Sequence, residues 1–330
     1  MYCPEIQDLP EPLRERTGWP WKNETPGKPG QITNERPWPR ITIVTPSYNQ
    51  GQFLEETIRS VLLQGYPDLE YIIIDGGSTD NSREIIKKYE PWLKYWVSEP
   101  DGGQSHAINK GFRHGSGEVL AWINSDDIYL PGALWTMGNV VKRCREKDSK
   151  WDGWFTSRCI WENLVDQETR QQIPSQAPDE RIRLLGWRCP QRSSFWTRAC
   201  WDGVGGVPED LHFVFDTEFF IRLVFSGYKP QLLSEVLSAG RIHENCKTVV
   251  RPEAWGPELL KMYDRLAHFL EPSDRRRVRR AVRTDLARVR FNQARSQGRW
   301  FAATVAASQI LWHSPPWNRS EGLPISRSYK

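Results

Sequence analysis

The sequence predicts an α/β fold with a mostly parallel sheet covered by helices on both faces, followed by a C-terminal helical extension. Short apolar runs rich in β-branched and aromatic residues alternate with segments whose apolar positions recur at helical spacing. Each run ends in a turn rich in glycine, serine or acid: TPSYNQ, DGGSTDNS, EPDGGQSH and INSDD. Strands and helices alternating at this length imply right-handed crossovers, which lay successive strands parallel.

The elements follow in order. Residues 1–39 carry Pro4, Pro10, Pro12, Pro20, Pro26, Pro29, Pro37 and Pro39, which remove backbone donors and fix φ, so this arm reads as extended and wrapped on the domain through Trp19, Trp21 and Trp38. Ile41 to Thr45 is a buried first strand that Pro46 stops. Phe53, Leu54, Ile58, Val61 and Leu62 mark a helix, with Gly65 where a left-handed C-cap belongs. Tyr71 to Ile74 is a second strand, and Ser78, Thr79 or Asp80 caps the helix that runs through Tyr89. Tyr95 to Val97 is a third strand, Gln104 to His114 a helix, and Glu118 to Ile123 a fourth strand.

Beyond it the character changes. Trp151, Trp154, Trp161, Trp187, Trp196 and Trp201 stand among polar residues, and read either as half-buried packing or as a sugar-stacking acceptor cleft. From Trp255 the pattern is helical. In Asp274 to Arg295, Val278, Val282, Leu286 and Val289 recur at helical spacing among many arginines, which fits a solvated amphipathic helix or one that meets an anionic membrane surface. The division expected is an arm over 1–39, a catalytic domain over 40–250 with a nucleotide-sugar half (40–130) and an acceptor half (131–250), and an arginine-rich helical extension over 251–330.

Composition narrows the function. A net charge of +4 with 26% charged residues does not call for nucleic-acid binding. The six cysteines, Cys3, Cys144, Cys159, Cys189, Cys200 and Cys246, form no CxxC pair and no zinc-like spacing, so free thiols in a reducing compartment are expected. No apolar run reaches the roughly 20 residues of a membrane-spanning helix. The expected location is cytoplasmic, with room for peripheral contact at the inner face of the membrane.

Carboxylates at the strand ends carry the chemistry. Asp75 closes a strand before Gly76 and Gly77, where it can accept hydrogen bonds from a nucleoside base or ribose. In the INSDD turn, Asp126 and Asp127 supply the one or two carboxylates by which a protein holds Mg²⁺ or Mn²⁺ against a diphosphate. Neighbouring residues of an extended chain point oppositely, so one of the pair faces the ion while the other orients the turn.

These phrases, in this order and spacing between about Arg40 and Thr248, resemble the inverting family 2 glycosyltransferases of the GT-A fold. The resemblance implies transfer of a sugar from a nucleotide diphosphate donor to a hydroxyl of a glycan or lipid-linked acceptor, with Mn²⁺ or Mg²⁺ as cofactor. It implies that Pro46, Ser47 and Tyr48 line the base and ribose pocket and that Asp75 contacts the nucleoside. Asp101 then faces the diphosphate or sugar, Asn124 and Ser125 belong to the donor site, and Asp126 binds the metal. VFDTEFFIRL resembles the family's acidic motif before a helix, which makes Asp216 the general base with Glu218 in reserve. GRIHENCKT resembles its Arg-x-His segment, bringing Arg241 to the diphosphate and His243 to the metal, and Gln191 resembles a donor or acceptor contact. Gly76 and Asn124 depart from the pattern, standing where many members have aspartates. The first removes the basis for inferring uracil, and the second leaves the ion fewer protein charges. A catalytically silent sugar-nucleotide or glycan-binding module on the same fold is the alternative, and the joint presence of Asp75, Asp126 and Asp216 argues against it, since a binding module needs no base.

Overall fold

The computed structural model describes residues 4–12, 16–23, 25, 37–164, 169–172, 189–247, 255–296, 298 and 300–313. The strands are β1 (Ile41–Ser47), β2 (Leu69–Asp75), β3 (Tyr95–Ser98), β4 (Val119–Trp122), β5 (Ile128–Tyr129), β6 (Trp154–Asn163), β7 (Thr169–Gln172), β8 (Ser194–Thr197) and β9 (Pro230–Ile242). The helices are α1 (Gly51–Leu62), α2 (Ser82–Tyr89), α3 (Gln104–His114), α4 (Ala133–Lys147), α5 (Arg198–Val204), α6 (Phe215–Phe225), α7 (Trp255–Leu266), α8 (Pro272–Ser296) and α9 (Trp300–His313).

The strands join in one sheet of order β3-β2-β1-β4-β8-β6-β9-β5, with β7 paired to β6. The first four are parallel. Beyond β4 the sheet is mixed: β8 runs antiparallel to β4 and β6, β9 parallel to β6, and β5 antiparallel to β9. The chain moves outward from β1 to β3 and returns through α3 to β4 on the other side of β1, so the order reverses between β1 and β4. That is the switch point at which open α/β sheets bind ligands beyond their carboxyl ends.

Alternation along the strands makes two cores. Val44, Ile72, Ile74 and Trp122 face Ile108 and Phe112 of α3, Phe219 and Phe220 of α6, and Leu259 and Met262 of α7. Ile43, Tyr71, Ile73 and Ala121 face Leu54 and Ile58 of α1, Ile85 and Ile86 of α2, and Met137 of α4. Burying both faces explains why these strands read as continuous apolar runs.

Two expectations change. β1 does not stop at Pro46 but continues to Ser47, in register with Ile74 and Asp75. The Ile123 N–H donates to the Val44 carbonyl, while the Ser47 carbonyl accepts from Gly76. By this alternation the donor that Pro46 lacks would face β4 beyond its last paired residue, Trp122, so no ladder bond is lost. The tryptophans are mainly core rather than cleft: Trp154, Trp196 and Trp201 are buried in the first core, Trp151 lies against Phe155, and Trp187 is outside the described residues. The side chains of Val278, Val282, Leu286 and Val289 are outside them too, although their backbone is helical in α8.

The arm is seated as its tryptophans suggested. Trp21 is buried, and the Trp19 indole N–H donates to the Tyr129 carbonyl at 2.8 Å. Buried Arg59 of α1 gathers the arm by donating to the carbonyls of Pro10, Pro20 and Trp21.

Candidate active site

The β1 and β2 turns are tied to each other. Asn49, at φ +51°, accepts the Thr79 N–H on its side-chain oxygen, and its own N–H donates to the Ser78 hydroxyl. Asp80 accepts from Gly51 at the start of α1 and from Ser82 at the start of α2, so one carboxylate serves two helix N-termini. Asp75 is fully buried and accepts from the Ser78 N–H, the Ser78 hydroxyl and the Ser98 hydroxyl at 2.9, 2.5 and 2.7 Å. Its protein partners are therefore already three, and it shapes the turn it closes. Asp101 lies across from it, and a Cβ added at Gly76 would meet the Asp101 Oδ1 at 3.2 Å. The glycine thus makes room for a carboxylate supplied by another loop. Tyr48 is 61% exposed above this floor, and the buried Ser47 hydroxyl has no hydrogen-bond partner among the described residues.

The turn after β4 separates its two acids. Asp126 is half-buried, with its Oδ2 3.2 Å from the His243 Nε2. Asp127 points away into the sheet, where it is buried and ion-paired to Arg192 at 3.1 Å. The expectation that Asp127 shares the metal site is corrected, because this carboxylate is committed to Arg192. Burial pushes the Asp127 carboxyl up to about 6, with the Arg192 guanidinium pulling it down. Arg192 lies over the Trp161 ring at 3.7 Å, and a Cβ at Gly240 would come within 2.4 Å of the guanidinium carbon, so only glycine leaves it this path. Asn124 accepts from Gln104 at 2.7 Å and donates to Asp127 at 3.2 Å, and the Ser125 and Asp127 carbonyls lie 2.9 and 2.7 Å from the Thr57 hydroxyl.

β9 brings the partners of Asp126. It is zipped to β5, Ile128 opposite Ala239 and Tyr129 opposite Ser238, which fixes its end beside the β4 turn. Buried Arg241 pairs with Glu56 of α1 at 2.8 Å and donates to the Asp126 carbonyl at 3.0 Å, so it holds the turn from behind. His243 is buried against Phe53, ring centroids 4.6 Å apart, and its Nδ1 has no hydrogen-bond partner among the described residues. Lys247 donates to Gln104 at 2.8 Å. Desolvation lowers the Lys247 pKa, while the charges of Asp126, Glu258 and Asp101 work the other way. Lys247 was missed from the sequence because no motif singles it out. Cys246 lies beside Asp126 and His243, with the ligand atoms of the three within 4.8 Å of one another. Its signal in the sequence is the His-x-x-Cys spacing of His243 and Cys246, which is neither a CxxC pair nor a zinc-like cysteine spacing.

Asp216 opens α6, half-buried, its Oδ1 accepting the Thr217 N–H at 2.6 Å. Phe215 beside it lies against Trp122, ring centroids 6.1 Å apart, which stands this helix start near the end of β4. Glu218 is corrected as a reserve base: it is wholly buried and held by Arg222 at 2.8 Å, a pair that ties α6 to the Gly206 carbonyl. Gln191 is also committed, donating to the Trp122 carbonyl at 2.7 Å.

The donor set Asp126 and His243 fits a divalent cation: one half-buried carboxylate and one buried imidazole, beside two strand ends fixed by strand pairing. The fold is that of glycosyltransferases. It superposes on residues 1–349 of TarS from S. aureus in complex with UDP-GlcNAc with TM-score 0.58 and 17% identity, over 84% of this chain and 82% of that one. It superposes on the mannosyltransferase PcManGT from Pyrobaculum calidifontis, in complex with GDP-Man and Mn²⁺, with TM-score 0.53 and 17% identity, over 89% and 81% of the two chains. This is a GT-A glycosyltransferase. The family model described as "Glycosyl transferase family 2" matches residues 42–145. An uncharacterized glycosyltransferase of Mycobacterium tuberculosis is 31% identical over 186 residues, 56% of this chain and 68% of the relative. One from a Nostoc species is 37% identical over 98 residues, 29% of this chain and 30% of the relative. The chain belongs to glycosyl transferase family 2.

Proposed function

We propose that this enzyme transfers a sugar from a nucleotide diphosphate sugar to an acceptor hydroxyl by single displacement with inversion, with a divalent cation held by Asp126 and His243. The approach of the Asp126 Oδ2 to the His243 Nε2, at 3.2 Å beside the β1/β4 switch point, carries this reading. When bound, the cation would neutralise charge on the diphosphate as the nucleotide leaves. Tyr48 offers an exposed ring to the base, and the unpartnered Ser47 hydroxyl a hydrogen bond to the ribose or base. Asp101 and Lys247 stand on the diphosphate side, Lys247 as a second positive group for the leaving phosphates. Arg241 acts from behind, holding the turn that carries Asp126.

An attacking hydroxyl must lose its proton as it bonds to the anomeric carbon, and Asp216 takes that proton. Its station at a helix start near the end of β4, and the commitment of Glu218 to Arg222, support it over its neighbour. The acceptor is a glycan or lipid-linked saccharide hydroxyl, and Mn²⁺ or Mg²⁺ is the cation.

Calorimetric titration with UDP, GDP and dTDP, each with Mn²⁺, Mg²⁺ or a chelator, tests the donor half of the proposal. One nucleotide should bind in a metal-dependent way, with affinity falling at least about tenfold in Asp126→Ala. Binding that ignores the metal and the substitution would remove Asp126 from the donor site, and binding without turnover on any sugar conjugate would favour the silent module.

A further inference from the structure

Cys246 sits in a turn that aims it at the same point as His243. The turn closes with the Cys246 N–H donating to the His243 carbonyl at 3.0 Å, while the His243 N–H donates to the Cys246 Sγ at 3.2 Å. Two residues therefore separate two potential ligands, and the backbone fixes both on one side. The carboxylate, imidazole and thiol ligand atoms lie within 4.8 Å of one another. Bonds of about 2.0–2.3 Å to a shared tetrahedral ion would set them about 3.5 Å apart, a closing of about 1 Å. In the present arrangement the thiol donates to the Arg241 carbonyl at 3.5 Å.

We propose that Cys246 is a third protein ligand, which makes the centre a carboxylate–imidazole–thiolate site that prefers thiophilic divalent ions to Mg²⁺. The inference rests on the reading of Asp126 and His243 as a metal site. Thiolate is the ligating form, so binding breaks the S–H bond, forms a sulfur–metal bond and releases the proton to solvent. Soft sulfur favours Co²⁺, Zn²⁺ or Cd²⁺, whereas Mg²⁺ demands an octahedron of hard oxygen donors. The His243 N–H is already aimed at the sulfur and would stabilise the thiolate by a charge-assisted hydrogen bond.

The test uses the full chain and metal alone. Titration with Co²⁺ should raise visible ligand-field bands together with a near-ultraviolet band from sulfur-to-cobalt charge transfer. In Cys246→Ser and in Cys246→Ala the near-ultraviolet band should vanish, the ligand-field bands should persist, and Co²⁺ affinity should fall at least about tenfold, while Mg²⁺ affinity changes little. In the wild type, Co²⁺ or Cd²⁺ should slow alkylation of Cys246, and Mg²⁺ should not. Co²⁺ binding without a charge-transfer band, a band that survives both substitutions, or unchanged alkylation would overturn the role of Cys246 and leave Asp126 and His243 standing. Absence of Co²⁺ binding in the wild type would overturn both readings.

Discussion

At the residue scale, two closely spaced pairs of acids show how position along the chain divides the work. Asp126 and Asp127 are neighbours in a turn, yet one faces His243 and the other is buried against Arg192. Asp216 and Glu218 stand two apart on one helix start, and Glu218 is sealed into its pair with Arg222. Asp216→Asn should therefore abolish transfer and leave nucleotide affinity unchanged, which parallel turnover and calorimetry would check; retained turnover would move the base elsewhere. Asp127 predicts a pH signature. Its folded pKa, about 6, lies above the ordinary 3.8, so the folded state holds this proton more tightly than the unfolded state does. The stability tied to it is fully present below about 3.8 and is lost as pH rises through about 6. Relative to Asp127→Asn, which mimics the protonated acid, the wild type should lose ground in urea unfolding between pH 4 and pH 7. A gap moving the other way would mean that Arg192, and not burial, governs the carboxyl.

At the element scale, the strand and helix alternation of residues 41–122 was legible because both faces of that half-sheet are buried and each helix repeats its apolar stripe. The Gln104 to His114 helix agrees with its pattern at both ends. The far half was harder to read: β9 is largely exposed in its first six residues, and β5 has only two, too few to leave a periodic signal. The C-terminal helices add a surface feature. α8 buries Thr284, Ala287 and Ala294, small residues that allow α9 to approach, and exposes Arg275, Arg276, Arg279, Arg280, Arg283, Arg290 and Arg295. α9 exposes Trp300 (69%) and Phe301 (85%) beside them. Cationic side chains next to exposed aromatics match the head-group region of an anionic bilayer. No helix among the described residues is long and apolar enough to cross a membrane, so any contact made by this pair would lie along the surface. The protein should sediment with anionic vesicles and not with neutral ones, and Trp300→Ser combined with Phe301→Ser should leave it in the supernatant. Equal recovery from both vesicle types would dismiss the contact.

At the scale of the whole molecule, the loops at the ends of β1, β2, β3 and β4 were legible in the sequence because they are local, each following its own strand. The partners were less visible because they come from far along the chain: Arg192 reaches Asp127 across 65 positions, and His243 reaches Asp126 across 117. Arg192 depends on Gly240, and Asp101 gains its space from Gly76, pairings that only the folded sheet reveals. Free thiols were expected, and Cys144, Cys159, Cys189, Cys200 and Cys246 are free, but a thiol beside a carboxylate and an imidazole is not a bystander.

β5 and β9 meet directly behind that cluster, and Arg241 fastens the same corner to α1. Backbone pairing thus fixes the strand ends beside which Asp126 and His243 stand. On the proposed reading, a divalent ion would enter a nearly finished socket, and an incoming diphosphate would meet a charge already in place.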